Sequence, residues 1–157
     1  MLKVVGLFGT CANSTWRESV VQPILEQEGV AFFNPVVKDW NDEAQRNEVK
    51  NAAEDAVIIM AITGETTAIA SMAELGWQVY LASKNNQKVV VFIDDMPNDV
   101  KDDTGASLRI NKVRSLIRRY AEKAVNDVVL VNSLEDAANQ AAALMKKISM
   151  EVPEGGM

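Results

Sequence analysis

The sequence predicts an α/β fold, a three-layer sandwich in which helices cover both faces of a five-stranded parallel sheet. Two observations carry this. Apolar runs recur at Leu2 to Phe8, Val30 to Phe33, Ala56 to Ile62, Val89 to Ile93 and Val128 to Val131. They are continuous rather than alternating, as strands buried on both faces are. Between them the apolar positions switch to a spacing of three and four, the period of a helix laid against a sheet. Parallel strands need right-handed helical crossovers, so five βα units in succession make a doubly wound sheet of the flavodoxin-like or Rossmann-like kind. A chain of 157 residues, 48% of them hydrophobic, suits one such domain over 1–150, with 151–157 read as a flexible tail.

The elements follow in order. After the first strand, Trp16, Val20, Val21, Ile24 and Leu25 form the stripe of helix one. Pro23 lies inside that pattern, where it deletes a backbone hydrogen bond and costs about 3 kcal/mol unless the helix kinks. A kink near Gln22 is therefore expected. Helix two, around Asp42 to Ala53, has only Ala44, Val49, Ala52 and Ala53 for an apolar side, so it is expected to be exposed or at a subunit contact. Asp55 heads strand three at the amino end of the sheet and reads as a turn or capping residue. Helix three offers Ile69, Met72, Ala73, Trp77 and Tyr80, and Gly76 leaves room for backbone to approach the sheet closely. Helix four offers Val113, Leu116, Ile117, Tyr120 and Ala124, and helix five Leu134, Ala138, Ala141, Met145 and Ile148. The acidic segment Asp94 to Gly105 reads as a solvated loop rather than a lid.

Composition removes several functions. A net charge of −6 argues against a nucleic acid polymer as partner, because phosphate backbones call for a basic stripe. With Cys11 as the only cysteine and no histidine, the chain has no disulfide framework, no Cys/His metal cluster and no Ser-His-Asp triad of its own. Acid–base work falls to carboxylates, Tyr or Lys. The apolar N-terminal stretch is too short for a signal segment and no run approaches a membrane span, so the chain reads as soluble and cytoplasmic.

In doubly wound sheets ligands sit at the carboxyl ends of the strands, near the point where strand order reverses. Three loops there carry chemistry. The first, Gly9-Thr-Cys-Ala-Asn-Ser-Thr-Trp-Arg17, opens helix one. Gly9 admits close backbone approach, Asn13, Ser14 or Thr15 can cap the helix, and Arg17 adds a fork of donors for an anion. An ordinary cap with a surface arginine fits the same letters. The second, Asn34-Pro-Val-Val-Lys-Asp-Trp-Asn-Asp42, sets Asp39, an acid or acceptor, beside the aromatic face of Trp40, a pairing suited to a nucleobase. Its alternative is a cap at Asn41 with Trp40 covering the core edge. In the third, Thr63 to Glu74, Ser71, Glu74 and Gln78 line one helical side. Glu74 then stands between packed and open surface, where its carboxylate can attack a sugar carbon; a plain surface glutamate is the other reading.

Phe8-Gly-Thr10, Asn13-Ser-Thr-Trp-Arg17, Asn34-Pro-Val-Val-Lys-Asp-Trp40, Ala73-Glu-Leu-Gly76 and Lys88-Val-Val-Val-Phe92 together resemble the nucleoside 2-deoxyribosyltransferase-like family. The likeness spans residues 2 to 93. It implies cleavage of an N-glycosidic bond in a (deoxy)nucleoside or nucleoside monophosphate, with transfer of the sugar to a second base or to water. Glu74 is then the nucleophile and Asp39 holds and protonates the leaving base. Gly9, Thr10 and Trp16 shape the pocket. No cofactor or metal is implied, and the family points to a homo-oligomer, a dimer or higher. The resemblance departs from the family's pattern at Ala68, where its transferases often carry an aspartate that grips the sugar. Related hydrolases hold a 5′-phosphate with hydroxyl side chains and a first-loop arginine, roles open here to Ser71, Thr67 and Arg17. The competing function is a non-catalytic nucleotide-binding or signal-sensing module in the same crevice.

Overall fold

The computed structural model describes residues 1–96, 106–123 and 127–151. Strands β1 (Leu2–Gly9), β2 (Phe32–Phe33), β3 (Asp55–Ile62), β4 (Lys88–Ile93) and β5 (Val128–Val131) form one parallel sheet in the order β2-β1-β3-β4-β5. This is the α/β sandwich that the apolar runs predict. Every residue of β3 is buried, as a central strand covered on both faces must be. Helices α1 (Gln22–Gln27) and α5 (Leu134–Glu151) share a core with one sheet face, through Val21, Leu25, Ala137, Ala138, Ala141 and Met145. Helices α2 (Asp42–Glu54), α3 (Ile69–Asn85) and α4 (Ala106–Lys123) cover the other, where Leu75, Ala82 and Ala121 meet Ile58, Met60 and Val91.

Strand two is shorter than its apolar run. It sits at the sheet edge and pairs with β1 only at Phe32 and Phe33, after which the Asn34 side chain accepts the Val36 N–H and turns the chain. The disturbance expected from Pro23 takes the form of a π turn over Arg17–Val21, closed by Gln22 N–H donating to Arg17 O, with Pro23 at the start of α1. A widened turn accommodates the proline ring, which clashes with the carbonyl four residues back in a regular helix. Helix α2 buries none of its residues and is capped by Asn41, whose side chain accepts from the N–H groups of Glu43 and Ala44.

Two helices are rotated from their expected stripes. On α3 the buried residues are Ser71, Leu75, Gln78 and Ala82, while Ile69, Trp77 and Tyr80 are exposed. Hydrogen bonds decide this face: Gln78 Nε2 donates to Ala52 O at 2.9 Å and Asn85 Nδ2 to Ala53 O at 3.1 Å, tying α3 to the end of α2. On α4, Arg114 and Ala121 turn inward and Ile117 packs beside them, whereas Val113, Leu116 and Tyr120 face out. The inward arginine satisfies carbonyls that an apolar stripe would leave bare. Gly76 is exposed, and a Cβ there meets nothing within 4 Å, so it makes no close approach to the sheet. Ala124, the segment after Met96 up to Gly105, and the tail after Glu151 lie outside the described residues.

Candidate active site

The exit of β1 is shaped by backbone demands. Gly9 has φ +126°, and a Cβ on it would lie 2.0 Å from Ala61 O, so only glycine fits. Thr10 then staples β1 to β3: its N–H donates to Ala61 O at 2.8 Å, and its hydroxyl accepts from Thr63 N–H at 2.8 Å. Trp16 Nε1 and Arg17 Nη1 both donate to Thr10 O at 2.8 Å. Arg17 also reaches Leu7 O through Nε at 2.9 Å and Gly9 O through Nη2 at 3.3 Å, and its Cζ lies 4.2 Å from the Trp16 ring centroid. The guanidinium is thus a buried brace for the loop. Burial pulls its pKa down from the ordinary value, partly offset by Cys11, Glu18 and Glu48.

Beside this brace opens a cavity of about 480 Å³. Phe8, Gly9, Cys11 and Ala12 come from the β1 exit, Pro35, Val36, Val37 and Trp40 from the β2 exit, Ala70, Ser71 and Glu74 from α3, and Glu48 from α2. It lies where strand order reverses between β1 and β3, the crevice such sheets offer a ligand. A second, more apolar cavity of about 290 Å³ shares Phe8, Glu48 and Glu74 with the first. The two glutamates stand on the ridge between them.

Both carboxyls hold their protons more tightly than a free glutamate. Glu74 is exposed over part of its surface, and the partial burial of its carboxyl against the cavity wall raises it above the usual glutamate value, a rise the nearby Arg17 charge moderates. Glu48 is raised by burial first and then by the charge of Glu74, again moderated by Arg17. The repulsion is mutual, so the pair loses its protons in two steps, and ionisation of one carboxyl makes ionisation of the other harder. A carboxylate and a carboxylic acid on one cavity wall are the pair that displacement at a sugar carbon requires.

Of the residues singled out in the sequence, Gly9, Arg17, Trp40, Ser71 and Glu74 converge on the larger cavity. Thr10 and Trp16 lie behind its wall, fully engaged in bracing the loop. Asn13 and Asp39 are exposed and line neither cavity, although their neighbours Ala12 and Trp40 line the larger one. Arg17 borders the cavity, but its donors go to main-chain carbonyls rather than outward as an open fork. Glu48 was not signalled by the sequence, since it sits among many charged residues on a helix with little apolar pattern.

Among the described residues no helix is long and apolar enough to cross a membrane. No curated protein matches the chain. The family model described as nucleoside 2-deoxyribosyltransferase-like matches residues 3–96, the stretch that supplies every wall of the larger cavity. A general role in glycosyl transfer on nucleosides goes with that match, and the chain belongs to the nucleoside 2-deoxyribosyltransferase-like family.

Proposed function

We propose that the protein breaks the N-glycosidic bond of a nucleoside through a covalent sugar intermediate on Glu74 and passes the sugar to a second base or to water. In the first step a Glu74 oxygen attacks the anomeric carbon, the bond to the base nitrogen breaks, and the Glu48 carboxyl supplies the proton that the departing base takes. In the second, a new base or water gives its proton to the Glu48 carboxylate and displaces Glu74, restoring both groups. The observation that carries this is the pair Glu48 and Glu74 on one cavity wall, two neighbouring carboxyls both raised above the ordinary glutamate value, so that one can ionise while the other still holds a proton. Asp39, expected to protonate the base, gives way to Glu48 because it lies off the cavity. Trp40 with Val36 and Val37 gives the cavity an apolar side on which the base can rest. An uncharged nucleoside suits the site better than its 5′-phosphate, because Arg17 is committed to carbonyls.

The test is chromatographic. Purified protein is incubated with deoxynucleosides, ribonucleosides and their 5′-monophosphates, with and without a second free base. Release or exchange of base is expected from unphosphorylated substrates, falling by about a thousandfold or more in Glu74→Ala. Ligand-induced thermal stabilisation without turnover, retained in Glu74→Gln, would instead establish the non-catalytic binding module.

A further inference from the structure

Helix α3 begins with slight local support, the Thr66 hydroxyl accepting the Ala68 N–H at 3.2 Å. Its N-cap, Ala68, makes no side-chain cap hydrogen bond and adopts a left-handed conformation, φ 50° and ψ 36°, which non-glycine residues occupy at a cost. Such a residue holds this conformation only when its surroundings impose it. They come from α4. The Arg114 side chain, with no surface exposed, crosses to the exits of β3 and β4. Its Nη1 donates to Thr63 O at 2.9 Å and Asp94 O at 2.7 Å. Its Nη2 donates to Thr66 O at 2.7 Å and Thr67 O at 3.2 Å, the two carbonyls just before Ala68. One planar cation therefore joins the ends of two neighbouring strands to the turn that launches α3. Ala70 and Ser71 in the first turn, and Glu74 one turn later, are the α3 residues on the cavity wall.

The geometry points to Arg114 as the positioning residue for Glu74, holding the start of α3 so that the carboxylate meets the sugar carbon; this role rests on the glycosyl chemistry proposed above. Arg114 touches neither cavity and lies outside the family match at 3–96. Its hydrogen bonds go to Thr63, Asp94, Thr66 and Thr67 rather than to the Pro35 to Trp40 wall, so its loss should disturb attack while leaving base binding in place. Lysine, with one ammonium instead of a planar fork, cannot bridge four carbonyls.

The experiment compares wild type with Arg114→Lys and Arg114→Ala. In Arg114→Lys, kcat should fall about tenfold to a hundredfold, as for a nucleophile misplaced by about 1 Å, with KM changed less than about threefold. Hydrogen exchange should quicken by about tenfold at the amides from Met72 onward, the first of which donates to Ala68 O, with β3 amides unchanged. Added guanidinium at low concentration should restore part of the kcat of Arg114→Ala, and ammonium should not. An unchanged kcat in Arg114→Lys overturns the inference. So does a joint change of kcat and KM with faster β3 exchange, the mark of a merely destabilised fold. If wild type releases no base, the glycosyl reading fails instead, and exchange at α3 alone decides whether Arg114 holds the helix start.

Discussion

Glu74 and Glu48 differ in how they announce themselves. Glu74 sits one turn into a helix that follows a buried strand, and that placement aims it at the crevice before any coordinates exist. Glu48 becomes visible only when α2 folds over the end of β1. The coupling of the two carboxyls gives an expected pH profile. kcat/KM should be bell-shaped, with its acid limb set by the first ionisation of the Glu48–Glu74 pair, which frees the nucleophile, and its alkaline limb by the second, which removes the proton for the leaving base. Both limbs should stand above ordinary glutamate values, because burial raises both groups. Glu48→Gln should erase the alkaline limb while lowering the rate. Asp55, read from the sequence as a turn or cap residue, is wholly buried, and neither of its carboxylate oxygens has a partner among the described residues. Burial, then the charge of Glu54, raises its pKa from 3.8 to about 7. The folded chain holds this proton more tightly than the unfolded one. Its contribution to stability is therefore complete below the unfolded value and is lost as pH rises through about 7. Asp55→Asn should match wild type at pH 4 and melt several degrees higher at pH 8; equal melting temperatures at both would refute the assignment.

At the level of elements, α1 and α5 were legible because their apolar stripes are also their buried faces. Helix α3 was not. Periodicity picks the side with more apolar area, Trp77 and Tyr80, yet amide hydrogen bonds from Gln78 and Asn85 turn the opposite side inward. The same happens on α4, where a buried guanidinium replaces the apolar contact that the spacing suggested. Urea unfolding can separate the two α3 faces. Leu75→Ala, at a residue 4% exposed, should cost about 2–4 kcal/mol, whereas Trp77→Ser, at one 61% exposed, should cost less than about 1 kcal/mol. Comparable losses at both positions would return the helix to its expected orientation.

Over the whole molecule, the strand pattern gave away the sheet because no polar residue interrupts the runs Ala56 to Ile62 and Val89 to Ile93. The edge strand was overestimated, since an apolar run cannot reveal how few residues find a partner. The chain carries a net charge of −6, and two carboxyl groups, at least one of them ionised in the working state, line the site. An uncharged nucleoside should therefore bind with a Kd nearly independent of salt between 50 and 500 mM, a range over which the screening length falls from roughly 14 to 4 Å. A 5′-monophosphate should bind more weakly, with the difference shrinking as salt rises. Isothermal titration at the two ionic strengths checks this; a phosphate that tightens binding at low salt would mean that an anion site exists in the crevice.

The three tryptophans occupy different surroundings: Trp16 is 2% exposed, Trp40 is 56% exposed on the wall of the larger cavity, and Trp77 is 61% exposed beside the smaller one. Intrinsic fluorescence therefore contains a red-shifted emission from Trp40 that a stacking purine or pyrimidine will quench, above a blue-shifted background from Trp16. With Trp77 replaced by phenylalanine, the protein becomes its own optical titration probe, and occupancy can be followed without label, coupled assay or turnover.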